Sequence, residues 1–115
     1  MDLQHLLNAH IVRFNDAVNS GDFTEMVSHF SDGASMIFEG VPVGPFSGRE
    51  AIAGAYAAQP PDDQLVLLEI IDEGPDSIEM TYAWGKEPDR RAGTMSLAQE
   101  DGQISRLVIR FEESA

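Results

Sequence analysis

Glu39 closes the apolar run Ala34-Ser35-Met36-Ile37-Phe38 and precedes Gly40-Val41-Pro42-Val43-Gly44-Pro45-Phe46, a turn-rich and otherwise apolar passage. A carboxylate among such neighbours loses water and gains the proton affinity that a general base needs. Tyr56 lies on the next helical segment, where its hydroxyl could donate a hydrogen bond to an enolate oxygen formed by proton removal. Each residue also has a plainer reading. Glu39 is one of 20 acids and could be a solvated strand end, and Tyr56 could pack its ring while wetting its hydroxyl. Glu25 and His29 stand one helical turn apart, a spacing that orients an imidazole or forms a surface pair. His10 interrupts the apolar stripe of the first helix, and so faces a cavity or rests as a semi-buried histidine. Arg90 and Arg91 could hold an anionic group or activate a water beside an acid; otherwise they are a solvated loop end.

Other chemistries are disfavoured. The chain has no cysteine, so disulfides, thiolate catalysis and thiolate metal sites are unavailable. No two histidines have the i, i+4 spacing of a helical metal pair, and neither a metal nor another cofactor is expected. Gly40, Gly44 and Gly48 have the wrong spacing, and the wrong prolines between them, for a phosphate cradle.

The elements that must position these residues follow from capping and periodicity. Asp2 caps a first helix with Leu3, Leu6, Leu7, Ile11, Phe14 and Val18 on one face, ending at Asn19-Ser20-Gly21. Asp22 and Glu25 form a capping box for a short second helix that buries Phe23, Met26, Val27 and Phe30. A strand spans about 34 to 39. Ser47 and Glu50 form a further capping box for a helix over about 49 to 58, which Pro60-Pro61 prevents from continuing. The period then changes. Strands are expected over 65 to 72, 77 to 84 and 91 to 99, and Glu100-Asp101-Gly102-Gln103 makes a hairpin turn into an antiparallel return from Ile104 to Phe111. Along the strand over 77 to 84, alternation places Met80, Tyr82 and Trp84 on one face. The layout is α+β, with three helices on one face of a curved antiparallel sheet and a pocket between them.

With 115 residues the chain is one domain over 1–115. Seven Lys plus Arg against 20 Asp plus Glu give a net charge of −13, which disfavours nucleic acid and anionic membrane as partners and aids solubility. The amino terminus lacks the basic start and apolar core of a signal peptide, and no apolar run reaches membrane-spanning length. The expected location is the cytoplasm.

The element order and the residues at its joins resemble the NTF2-like superfamily, in its SnoaL-like and ketosteroid isomerase-like branch. The matching residues are Asn19-Ser20-Gly21-Asp22, Phe30-Ser31-Asp32-Gly33-Ala34, Ser47-Gly48-Arg49-Glu50-Ala51-Ile52 and the Asp101-Gly102-Gln103-Ile104 hairpin. The resemblance implies a cone-shaped fold around an apolar pocket and a homodimer through the open sheet face. It also implies a catalytic carboxylate nine residues before the glycine of Gly-Arg-Glu, here Glu39 before Gly48. In the isomerases a first-helix tyrosine and a protonated late-strand aspartate form the oxyanion hole. Phe14 and Thr94 occupy those positions here, so an efficient steroid isomerase is not expected, while Tyr56 matches a third tyrosine of that network. The implied function is proton transfer by Glu39, with Tyr56 as donor, on an apolar carbonyl-containing ligand, a cyclic one by analogy. Phe14, Phe30, Phe38, His29, Trp84 and Thr94 are the candidate ligand-binding residues. Two other functions stand beside it: a non-catalytic ligand-binding or dimerisation module, and an epoxide or ester hydrolase built on an acid-arginine pair.

Overall fold

The computed structural model describes residues 2–111. Helix α1 (Leu3–Ser20) starts where the Asp2 carboxylate accepts a hydrogen bond from the Gln4 amide, and it ends at Gly21 in the left-handed conformation. Its apolar stripe, including Leu7, Ile11 and Phe14, is buried. Helix α2 (Thr24–Ser28) is a single short turn whose first amide is held by the Asp22 side chain. Strand β1 (Phe30–Glu39) is longer than its apolar run, because Phe30 pairs with Ile104 rather than extending α2.

A two-residue strand β2 (Phe46–Ser47) pairs with β1 through Ser35 and Ser47. Ser47 is thereby held in the sheet, and Gly48 takes the cap position of helix α3 (Arg49–Ala58) without a side-chain hydrogen bond. The expected Ser47 cap is therefore replaced by a strand pairing. The chain continues as a meander of β3 (Leu65–Glu73), β4 (Ser77–Trp84), β5 (Arg91–Glu100) and β6 (Gln103–Phe111), with Asp101 and Gly102 both at positive φ in the last hairpin.

The sheet order is β2-β1-β6-β5-β4-β3. Every pairing is antiparallel except β1 with β6, which is parallel. The sheet is thus mixed, where a wholly antiparallel one was expected. The difference is one of long-range order, since β1 joins the free edge of a meander completed some seventy residues later. At the β5–β6 pairing, Gly93 leaves room for the facing backbone, because a Cβ there would meet the Arg110 carbonyl oxygen. All three helices pack on the concave face of this curved, open sheet, and the core lies between the layers. Among the described residues no helix is long and apolar enough to cross a membrane.

Candidate functional site

A cavity of about 740 Å³ opens between the helices and the concave face of the sheet, a volume suited to a small organic ligand. The sheet supplies Met36, Phe38, Tyr82, Trp84, Met95, Leu107 and Ile109 as its floor. Helix α1 contributes His10 and Phe14, while α3 contributes Ala51, Ala55, Tyr56 and Ala58. The alanines fall at helical spacing on one face of α3, and their small side chains are what leave the space unfilled. At the mouth stand Val41, Val43 and Phe111, each more than a third exposed. The described residues lining the cavity include no Asp, Glu, Lys or Arg.

Its polar groups are few. Tyr56 is buried and stacks on Phe23 with ring centroids 5.0 Å apart; burial pushes its hydroxyl above the ordinary phenol range. Tyr82 is a buried part of the floor, edge-on to Trp84. His10 is 1% exposed and edge-on to Phe30. Burial, with smaller electrostatic contributions from the nearby Arg13 and His29, pushes its imidazole down to about 4. It is therefore neutral at physiological pH, and its Nδ1 has no hydrogen-bond partner among the described residues.

Glu39 is elsewhere. Phe38 pairs with Ile109 and Glu39 with Arg110, so alternation sends the first pair to the cavity and the second to the convex face. There the Glu39 carboxylate accepts a hydrogen bond of 2.7 Å from the Arg110 Nε and forms an ion pair with its Nη2, also at 2.7 Å, with 43% of the Glu39 side chain exposed. It is not the desolvated acid that its apolar neighbours suggested. Thr94 pairs with Arg110 from the other side and lies in the same polar groove as Glu39.

Of the other expected ligand contacts, Phe14, Phe38 and Trp84 line the cavity together with Tyr56. Phe30 is buried behind His10, and His29 caps α2 outside the lining, its imidazole lowered first by burial and then by Arg13, against Glu25. Arg90 pairs with Glu87 in an exposed loop, and Arg91 begins β5 away from the cavity. His10 was legible only as one of two possibilities. The alanine face of α3, and Met36 and Met95 beside outward-facing polar residues, carried the remaining signal. Among the described residues no three His, Asp or Glu side chains gather as a metal site.

Helices on one side of a curved sheet, with an apolar cavity between, define the NTF2-like architecture. The chain belongs to the SnoaL-like domain family, whose sequence profile matches residues 11–107. It is similar in structure to a SnoaL-like protein of unknown function from Burkholderia thailandensis, with TM-score 0.70, 20% identity and coverage of 96% of this chain and 97% of that one. A protein proposed to be a polyketide cyclase from Sinorhizobium meliloti is 26% identical, with TM-score 0.64 over 86% of this chain and 92% of that one. A computationally designed 17-OHP binder shares the fold at 15% identity, with TM-score 0.68 over 90% of this chain and 88% of that one. No curated protein gives a significant sequence match.

Proposed function

We propose that the protein binds an uncharged, apolar small molecule, compact and cyclic, in the cavity between α1, α3 and the sheet. The observation that carries this reading is the lining: about 740 Å³ walled by aromatic, methionine and alanine side chains, with no described charged group. Such a site favours a ligand through the apolar area it removes from water, and strongly disfavours an ion brought in without a partner. A designed 17-OHP binder and a proposed polyketide cyclase among the fold's relatives support the ligand class.

The reading is one of binding rather than carboxylate-driven turnover. A base at Glu39 would need its substrate on the same side of the sheet, and the Glu39–Arg110–Thr94 row lies across the sheet from the cavity. An acid-arginine hydrolase built on Arg90 or Arg91 would need one of them in the lining, and neither is there. The convex row suits a second copy of the chain instead: Glu39, Asp72 and Glu79 share the groove with Arg106 and Arg110, a mixture that can be self-complementary about a two-fold axis. Light scattering after gel filtration tests that dimer, and a mass of one chain at all concentrations would refute it.

Trp84 is the one tryptophan and lines the cavity, so its emission reports occupancy. Titration with 2-decalone should change it saturably, and Ala55→Phe, which fills the alanine face, should abolish the change. An unsaturable or absent response in the wild type, across bicyclic and tetracyclic ketones, would refute the proposal.

A further inference from the structure

His10 sits where an apolar cavity would ordinarily have a leucine. It follows Leu6 and Leu7 and precedes Ile11 and Phe14 on the buried face of α1, and it is as buried as they are. A buried polar side chain normally has its hydrogen bonds met, because an unmet donor or acceptor keeps the full cost of leaving water. Here Nδ1 is enclosed and has no partner among the described residues. Phe30 lies edge-on to the ring, and Arg13 and His29 both oppose placing a charge on it. No described carboxylate within the cavity wall can pair with it. The His10 side chain is nonetheless part of the cavity lining.

We infer that His10 is the specificity-determining group of the cavity and takes a hydrogen bond from, or gives one to, an uncharged oxygen of the ligand, a hydroxyl or a carbonyl. This inference rests on the binding function proposed above. A neutral imidazole carries one donor and one acceptor, and rotation about Cβ–Cγ exchanges the ring edge presented to the cavity, so a hydroxyl can satisfy either nitrogen and a carbonyl the N–H alone. A carboxylate is excluded on two grounds. The described lining has no cation to receive it, and the neighbouring Arg13 and His29 oppose charging the imidazole to form an ion pair. The ligand class is therefore a compact hydrophobe with an uncharged oxygen at the end that reaches α1. Hydrocarbons fill the same space but leave Nδ1 unmet, and acids of the same shape are rejected.

The test uses four probes on one skeleton, trans-decalin, 2-decalol, 2-decalone and decahydronaphthalene-2-carboxylate, titrated into the full chain and followed by Trp84 emission. The oxygenated neutral probes should bind about five- to tenfold more tightly than decalin, the scale of one added hydrogen bond. The carboxylate should bind at least tenfold more weakly than 2-decalol. In His10→Phe the ratio of 2-decalol to decalin affinity should fall to about one, whatever the absolute affinities. If that variant does not fold, the His10 ring resonances of the wild type give the answer, since they should move with 2-decalol and stay with decalin. Equal binding of decalin and 2-decalol, or a preference unchanged in His10→Phe, would overturn the role of His10 and leave apolar binding intact. Failure of every probe to bind would overturn the cavity function itself, and this inference with it.

Discussion

The burial of His10 should be visible as acid sensitivity. In the unfolded chain its imidazole titrates near 6.5, and in the fold burial lowers it to about 4. Between those values the unfolded state binds a proton that the folded state does not, so stability rises with pH across the window and is lost as pH falls through it. At about 1.4 kcal/mol for each pH unit, the full loss is about 3 kcal/mol, a large share of the roughly 5–15 kcal/mol that holds a small domain. Urea unfolding of the wild type and of His10→Phe at pH 7.0, 6.0, 5.0 and 4.5 isolates the effect, because the many carboxylates titrate in both. Arg13 and His29 are the neighbouring groups that add to the effect of burial on His10. The wild type should lose stability relative to the variant by about 1 kcal/mol or more per pH unit below 6, and be equal to it or slightly less stable at pH 7, where Nδ1 is unmet. A difference that does not change with pH would show that the imidazole is solvated, and refute the reasoning.

Three further outcomes are expected. Glu39→Gln removes an exposed ion pair, so chemical denaturation should show a change below about 1 kcal/mol, and 2-decalone affinity should be unaltered; a large fall in affinity would put Glu39 back at the cavity. Gly93→Ala sets a Cβ against the Arg110 carbonyl oxygen, and should cost more than about 2 kcal/mol in the same assay, because backbone must move to admit it. The buried Tyr56 hydroxyl is held above the ordinary phenol range, so the folded state keeps a proton that the unfolded state gives up, and stability should fall as pH rises past about 10. Absorbance at 295 nm should then show tyrosinate from Tyr56 appearing only with unfolding, and Tyr56→Phe should remove that component.

Local signals in the sequence are clearest where a few neighbouring residues suffice to satisfy them. The Asp2 cap, the Gly21 terminator and the Asp101-Gly102 turn each act through a few neighbouring residues, and all are present. Ser47 and Phe30 went astray for one reason, since each is drawn into a strand by a partner far along the chain, Ser35 and Ile104 respectively. The parallel β1–β6 pairing is likewise invisible to any local pattern. Glu39 is a different case. Adjacent strand residues face opposite sides, so Phe38 and Glu39 could not both serve one cavity, and an apolar flank says nothing about which side a residue takes. The same parity separates Thr94 from Met95. His10 could not be settled from sequence because a core histidine and a cavity histidine occupy the same helical position, and only the empty space beside α3's alanines distinguishes them.

The methionines offer the most direct measurement of the central claim. Met36 and Met95 line the cavity, whereas Met26 and Met80 are buried in the core outside the lining. With methyl-carbon-13 methionine, saturating 2-decalone should shift the Met36 and Met95 resonances and leave Met26 and Met80 nearly in place. Resonances that all stay fixed, or a response confined to amides of the convex face around Thr94 and Arg106, would contradict a ligand-binding cavity between the helices and the sheet.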